Sequence, residues 1–348
     1  MKNVALLALL AFLLASGRVE RRVMLMGTVL DVEVEATDRA AALAASEKAV
    51  AALEAAEARL STWRDDTELA RLNRAPVGER APLSPRLAAE LAAVQRCWRE
   101  TGGTFDPAIG PLVKAWGLRE GGRLPSPAER AAATEASRMD GLRLEEGVAI
   151  RERAGLTLEE GAWGKGSGLG DAVAALEADP AVSRAALDLG GQVAVFARGV
   201  RDVRASRWTV PVADPLRRDR VVAELTIDGG SVSTSGDSER GIVAGGRKRS
   251  HHLDPRTGEP APDFGSLTVW TADPLRADCL STGLYVMGPD AALAWAADHP
   301  GVEVLVLRAK GERRDALATP GLAGRVRSLD PEIRVRFWSP HLPEENCP

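Results

Sequence analysis

The sequence predicts an α+β fold in one compact unit, because helix signals dominate the first half of the chain and strand signals the second. Three helix starts in the first half are marked by the capping residues Asp38, Ser84 and Ser126. Short apolar runs bounded by turn residues, which are typical of strands, recur after residue 150. The chain has no internal repeat and no linker long enough to separate independent domains.

The individual elements follow from local patterns. Residues 23–34 alternate apolar and polar side chains over their second half, which predicts a first, half-buried strand. The first helix runs from residue 38 to about 60, the second from 84 to the glycines at 102 and 103, and a short third begins at 126. Six further strands are predicted, at 156–158, 185–189, 193–196, 208–212, 221–227 and 267–271. Helices interrupt them at 165–176, 278–287 and 289–298.

Length and charge narrow the class of protein. A chain of 348 residues can bury a large core. The net charge of −4 comes without a basic patch, so nucleic acid is not an expected partner. The three cysteines are far apart and lack metal-ligand spacing, so we expect no structural disulfide.

Both termini carry segments that we expect to lie outside the folded unit. Lys2, an apolar run at 4–14 and small residues at 15–17 have the order of a secretory signal, so we expect a signal peptide over residues 1–17 and an exported, periplasmic protein. The run is too short to span a bilayer, which takes about 20 apolar residues. A short anchor or a misassigned start codon is the alternative. Residues 330–348 are polar and are expected to form a loosely packed tail.

Residues 231–260 hold the densest set of chemically active side chains. A Thr-Ser-Gly-Asp turn and an Asp-Pro-Arg-Thr-Gly turn flank two adjacent histidines, His251 and His252. Imidazole is well suited to proton transfer near neutral pH, and glycine-containing turns let a ligand approach closely. The alternative is a polar hairpin loop whose histidines face solvent.

A glycine-rich element at 159–171 precedes a predicted helix. It lacks the spacing of a P-loop, because Glu159 stands where that motif needs glycine. A glycine-rich turn at a helix start still presents free N–H groups to an anion, and Lys165 adds positive charge toward a diphosphate. The alternative is a turn that only joins a strand to a helix.

Asp278 and Thr282 are four residues apart, which places both on one face of a helix. A carboxylate and a hydroxyl are hard oxygen ligands of the kind that Mg²⁺ prefers. An Asp and a Thr at this spacing are, by themselves, more often a helix cap.

Several segments, in order, resemble the FAD:protein FMN transferases, the ApbE family. Residues 250–258 are similar to the family's S-H-x-x-D-P-x-T-G signature, and the glycine-rich element is similar to its G-A-x-G-K-G variants. The other matching segments lie at residues 26–28, 61–73, 101–117 and 276–288, so that the resemblance covers about 26–307. It implies a flavin transferase domain over residues 23–310, built as two intimately packed lobes with the FAD cleft between them.

The resemblance also implies an activity. A magnesium-dependent enzyme would move FMN from FAD onto a threonine hydroxyl of an acceptor flavoprotein and release AMP. The enzyme would associate peripherally with the inner membrane through that acceptor. Hydrolysis of FAD to FMN and AMP is one alternative. A non-catalytic periplasmic flavin-binding protein is the other.

The family's functional residues carry over to this sequence by position. His251 matches the family histidine and would accept the hydroxyl proton, with Asp254 as its orienter. The residues placed around FAD are Met26, Trp63, Thr104, Phe105, Asp106, Glu159, Lys165 and His252. The magnesium ligands would be the carbonyl of Ala162 together with Asp278 and Thr282. His252 occupies a usually aliphatic position, and a strand here would put its side chain on the face opposite that of His251.

Three departures from the family pattern fall in the glycine-rich element. Glu159 replaces an aspartate that contacts flavin, Glu160 replaces an aliphatic residue, and Gly170 replaces an aspartate that here comes one position later. These departures keep the non-catalytic alternative open. Trp63, in place of the family tyrosine, is expected either to stack on a ring of FAD or to lie in the core.

Overall fold

The structure is a computed structural model that describes residues 17–198, 207–237, 241–310 and 313–339. Nearly all of the predicted signal peptide therefore lies outside the described residues. The helices are α1 (Arg39–Leu60), α2 (Glu68–Arg74), α3 (Pro85–Glu100), α4 (Gly110–Ala115), α5 (Pro127–Ala136), α6 (Gly164–Glu177), α7 (Pro274–Met287) and α8 (Pro289–Ala297), with short 3-10 turns at Leu118–Glu120, Met139–Gly141 and Pro320–Leu322.

Nine strands form the central sheet, in the order β1-β2-β6-β7-β10-β15-β16-β17-β19. These strands are β1 (Arg18–Leu25), β2 (Thr28–Ala36), β6 (Val182–Leu189), β7 (Gln192–Ala197), β10 (Gly230–Gly236), β15 (Gly265–Thr271), β16 (Val302–Lys310), β17 (Arg313–Ala318) and β19 (Val335–Phe337). The small sheets and hairpins use β3 (Arg80–Pro82), β4 (Leu142–Glu145), β5 (Val148–Arg151), β8 (Trp208–Asp214), β9 (Arg217–Ile227), β11 (Ile242–Ala244), β12 (Arg247–Arg249), β13 (Leu253–Asp254), β14 (Glu259–Pro260) and β18 (Val326–Ser328).

Both faces of the central sheet are covered. Alternate residues of a strand point to opposite faces, and along β16 Val304 and Val306 pack with α7 and α8. Leu305 and Leu307 instead pack against the β8-β9-β18 sheet on the other face. At the amino-terminal end of the sheet, α1 and α6 cover β1, β2, β6 and β7. Helices and strands are thus interleaved in one compact α+β domain, as the sequence predicts.

The helix starts predicted from capping residues are confirmed. The side chain of Asp38 accepts the N–H of Ala41 at the start of α1, and Ser84 caps α3 in the same way. Ser126 and Glu129 form both hydrogen bonds of a capping box at α5. Each of these signals is local to one turn of chain, so the sequence alone identifies it.

Three predicted elements are wrong. Residues 23–34 are not one strand but parts of β1 and β2, joined by a turn in which Met26 and Gly27 have φ values of 50° and 70°. Two successive positive φ values are typical of a type I′ hairpin turn. Residues 156–158 make only an isolated bridge, from Thr157 to Ile109. The tail is packed as far as residue 339, because Ile333 is buried and β19 pairs with β17.

None of the helices in residues 17–198, 207–237, 241–310 and 313–339 combines the length and the apolar composition that a membrane span needs.

Candidate active site

A cleft of about 700 Å³ opens between the β1–β2 turn, the start of α6, β10, α7 and the loop that carries the two histidines. It brings together all but one of the side chains that the sequence places at the site. Those that line it are Met26, Trp63, Thr104, Phe105, Asp106, Glu159, Ala162, Lys165, His251, His252, Asp278 and Thr282. The exception is Asp254.

A carboxylate that the sequence reasoning did not single out lies beside His251. The Nδ1 nitrogen of His251 is 3.2 Å from Oδ1 of Asp237, which is buried. The Ser250 hydroxyl donates to the same oxygen at 2.7 Å, and the Tyr285 hydroxyl donates to the other oxygen at 3.1 Å. Burial opposes the charged form of Asp237, but the His251 and Ser250 contacts outweigh it and lower the pKa of Asp237. Asp237 is therefore an ionised, fixed partner for the imidazole.

Asp254 does not orient His251, so that prediction is wrong. Its carboxylate binds the guanidinium of Arg256 at 2.8 and 2.9 Å, and Oδ1 also accepts the Arg256 N–H. Its carbonyl accepts the N–H groups of Thr257 and Gly258, which closes the Asp-Pro-Arg-Thr-Gly turn. The Asp237 alternative was visible in the sequence as the last residue of the Thr-Ser-Gly-Asp turn.

The two histidines lie against each other, which contradicts the prediction of opposite faces. Residues 250–252 lie between β12 and β13 and outside any strand. The ring centroids of His251 and His252 are 4.0 Å apart, and His252 is 4.5 Å from the ring of Tyr285. Burial, followed by the neighbouring His251, lowers the pKa of His252 to about 3. His252 is therefore a neutral imidazole at physiological pH.

The amino end of α6 forms one wall of the cleft. Trp163, the residue before this helix, does not cap it; the Gly164 N–H donates to the Glu160 carbonyl at 2.6 Å and the Gly166 N–H to the Asp278 carboxylate at 2.9 Å. Both Gly164 and Lys165 line the cleft. The positive end of the helix dipole attracts anions, and the ammonium group of Lys165 adds to that attraction. A Cβ atom at Gly166 would lie 2.3 Å from the Pro274 carbonyl oxygen, so only glycine lets α6 approach α7 this closely. The arrangement suits a phosphate or diphosphate group.

Asp278 is buried where α6 and α7 meet. One of its carboxylate oxygens accepts the Gly166 N–H at 2.9 Å. Burial raises the pKa of Asp278, and the nearby Lys165 charge partly offsets this effect. Thr282 and Ala162 line the cleft with Asp278. The donor set of a carboxylate, a hydroxyl and a carbonyl is of the hard-oxygen kind that fits a magnesium ion.

Small hydroxyl side chains join β10 to α7 behind these donors. The Ser281 hydroxyl contacts those of Ser233 and Ser235 at 3.0 and 3.1 Å, and it donates to the Asp278 carbonyl. All three serines are buried but still line the cleft. The small side chains let the sheet and the helix meet closely at the cleft floor.

One part of the cleft lining is built around Arg119, which the sequence patterns do not single out. Its guanidinium lies 4.3 Å from the ring centre of Trp63 and binds Glu159 at 2.7 Å. Trp63 is 71% exposed, which excludes the core role and leaves its ring available at the rim. Glu160 takes both the N–H and the hydroxyl of Thr62, so the substituted acid has a structural partner. Burial raises the pKa of Glu159, while Arg119 opposes the shift.

Phe105 and Asp106 have structural roles in the turn that lines the cleft. Phe105 is 1% exposed and packs in the core. The Asp106 carboxylate accepts the N–H groups of Ala108 and Met139 at 2.8 and 3.0 Å. Burial raises the pKa of Asp106 to about 7, against the effect of these two N–H donors. The turn is thereby held rigid at the cleft wall.

A buried ionic network fixes α6 from behind. Arg59 of α1 binds the fully buried Glu90 of α3 at 2.6 Å and Asp171 of α6 at 2.8 Å. Ser167 of α6 donates to Glu90. Asp171, which stands one position later than the family's aspartate, is therefore held in ion pairs away from the cleft lining.

The match to known proteins extends along most of the chain. The ApbE family model matches residues 26–306. The chain is 31% identical over 328 residues to the FAD:protein FMN transferase of Treponema pallidum, covering 89% of each protein. It is 30% identical over 299 residues to that of Klebsiella pneumoniae, covering 82% of this chain and 83% of the relative. The apo form of the flavinyl transferase ApbE of Pseudomonas stutzeri superposes on this structure with a TM-score of 0.76. The match covers 89% of this chain and 97% of the Pseudomonas stutzeri chain at 24% sequence identity, which shows a shared fold. This chain belongs to the ApbE family.

Proposed function

We propose that the protein is a magnesium-dependent FAD:protein FMN transferase. It moves the FMN half of FAD onto a threonine hydroxyl of an acceptor flavoprotein and releases AMP. The observation that carries this proposal is the convergence on one cleft of the Asp237–His251 pair, a helix start with Lys165, and the buried carboxylate of Asp278. The names of the curated relatives support flavin transfer to protein.

Each part has a role in the transfer. The threonine oxygen attacks the FMN phosphorus, a new P–O bond forms, the diphosphate bridge breaks, and AMP departs with the bridging oxygen. His251 accepts the proton of the attacking hydroxyl, and Asp237 holds the imidazole and balances the charge it gains. Lys165 and the positive end of the α6 dipole attract the diphosphate and stabilise the charge that develops on its oxygens.

Asp278, Thr282 and the carbonyl of Ala162 would hold the magnesium ion. A bound magnesium ion would supply positive charge to the diphosphate oxygens and help to fix their orientation. The protein contributes the buried position of Asp278, whose orientation is fixed by the Gly166 N–H. A carboxylate buried beside a helix start is a pre-formed ligand that needs little rearrangement to bind a cation.

The remaining cleft residues suit the rings and hydroxyls of FAD. The wall formed by Thr104, Phe105 and Asp106 is rigid, and the Glu159 N–H donates to the adjoining Pro107 carbonyl at 2.8 Å. We propose that this side receives the flavin, with Met26 from the β1–β2 turn, and that Trp63 stacks on an exposed ring. The cleft volume of about 700 Å³ is of the size that ligand sites have.

We also propose that the protein is exported, with a periplasmic site of action, because of the signal-like segment at residues 1–17. An acceptor bound to the inner membrane would bring the enzyme to that surface.

The test is to incubate the purified protein with FAD and Mg²⁺, with and without a threonine-bearing acceptor, and to follow AMP and protein-bound flavin. The proposal expects AMP and acceptor-bound flavin in equal amounts, and little AMP without acceptor. Rapid AMP release without acceptor would indicate FAD hydrolysis instead. No AMP under either condition, with FAD still bound, would indicate a non-catalytic flavin-binding protein.

A further inference from the structure

A second donor set lies in the same cleft, on the side of the histidines. Each of Asp237, His251 and His252 offers one ligand atom, and these three atoms all lie within 4.8 Å of one another. The Asp237–His251 pair is already at 3.2 Å. Ligands at about 2.0–2.1 Å from a tetrahedral zinc ion stand about 3.3 Å apart, so the set needs to contract by less than about 2 Å.

His252 provides the independent sign that this set is more than an acid–base pair. Its Nε2 nitrogen is buried and has no hydrogen-bond partner among the described residues. A buried ring nitrogen without a partner is costly, and metal coordination is one of the few contacts that satisfies it.

The surroundings hold the ligands in place as metal sites require. Tyr285 donates to the oxygen of Asp237 that faces away from His251, and Ser250 donates to the near oxygen. The ring of His252 packs against Tyr285, which fixes its plane. On the other side the cleft is open, which leaves a fourth position for water or a ligand oxygen.

We propose that Asp237, His251 and His252 form a binding site for a first-row transition-metal ion of the zinc class, separate from the magnesium site. Two imidazole nitrogens and one carboxylate select zinc, cobalt, nickel or copper, whereas the all-oxygen set at Asp278 selects magnesium. If the proposed function is right, this ion inhibits transfer, because it occupies the imidazole that accepts the proton.

The binding test uses the full chain, prepared without a histidine tag and stripped of metal. It is titrated with ZnCl₂ in a calorimeter, in a buffer that contains millimolar Mg²⁺ but no FAD and no acceptor. The wild-type protein binds one zinc ion per chain. His252→Leu and the isosteric Asp237→Asn each weaken zinc binding by about tenfold or more. His299→Ala, which removes a histidine stacked on Trp295 outside the cleft, binds zinc as the wild type does.

The outcome separates the two sites in the cleft. Asp278→Ala retains zinc binding, and Co²⁺ added to the wild type gives the visible absorption of a tetrahedral complex that His252→Leu lacks. Zinc binding at wild-type strength in both His252→Leu and Asp237→Asn overturns the proposal, as does its loss in Asp278→Ala. Because no flavin is present, this result does not depend on the transferase assignment. The matching activity result is inhibition by zinc that a chelator reverses.

Discussion

The Nδ1 nitrogen of His251 lies 3.2 Å from a buried oxygen of Asp237. This contact replaces Asp254 as the orienting carboxylate, because Asp254 holds Arg256 and a turn instead. The contact has the distance of an ion pair, so Asp237 stabilises the positive charge that the imidazole gains on accepting a proton.

Asp237→Asn should lower the transfer rate by about 10²-fold or more while leaving FAD affinity nearly unchanged, because the amide cannot balance charge on the imidazole. The rate would be measured under saturating FAD and the affinity by titration of flavin fluorescence. Asp254→Asn is the matched control and should stay within about threefold of wild type. If Asp254→Asn lowered the transfer rate and Asp237→Asn left it nearly unchanged, Asp254 would be the residue that orients His251.

Asp278→Ala should abolish metal-dependent turnover, because it removes the charged ligand proposed for magnesium. It also leaves the Gly166 N–H without its partner, at a cost of about 1–3 kcal/mol in the free energy of unfolding. Asp273→Ala is the control, since it removes the cap of the same helix at a cost of about 1 kcal/mol but not the site. Full activity of Asp278→Ala at modest Mg²⁺ would show that the ligand assignment is wrong.

Glu159→Asp restores the residue that the family carries, yet we expect it to weaken FAD binding. Arg119 binds Glu159 at 2.7 Å and covers Trp63, so a side chain one methylene shorter loses the ion pair that builds the cleft rim. A two- to tenfold rise in the dissociation constant for FAD is the expected size, about 0.4–1.4 kcal/mol. Tighter binding would mean that the glutamate is misplaced, and no change would mean that it does not contact FAD.

Much of the fold could be predicted because its signals are local. The caps at Asp38, Ser84 and Ser126 each involve one turn of chain, and all three helices begin where expected. β10 was missed because its inward side chains are serines that bond to a helix rather than apolar residues. The Met26–Gly27 turn was missed because a non-glycine residue rarely adopts positive φ.

In the site, too, features set by local sequence could be predicted, whereas contacts made only by the tertiary fold could not. Family motifs place twelve side chains on the cleft, since each motif fixes its own residues. The partners of those residues could not be predicted, because Asp237 with His251 and Arg119 with Glu159 meet only through the tertiary fold. The strand expected for the two histidines failed for a related reason. The Ser250 hydroxyl binds both Asp237 and the His252 N–H, which folds the segment into a bend.

Arg59→Leu should destabilise the protein by about 1–3 kcal/mol, because the fully buried Glu90 carboxylate loses its two hydrogen bonds from Arg59 and keeps only Arg86, at 3.3 Å, as a cation. The double variant Arg59→Leu/Glu90→Leu should recover most of this loss, since no buried charge is left unpaired. Chemical denaturation of the three proteins measures the free energies. If the double variant is the least stable, the network contributes more through its ion pairs than we infer.

The central claim is that His251 accepts the proton of the attacking hydroxyl. Its most direct test is single-turnover transfer of flavin to an acceptor by His251→Ala, with protein-bound flavin read by fluorescence and FAD affinity measured in parallel. The account predicts a transfer rate lower by about 10²–10⁴ with FAD affinity nearly intact. A variant that transfers flavin at the wild-type rate, or that fails only because it no longer binds FAD, would contradict it.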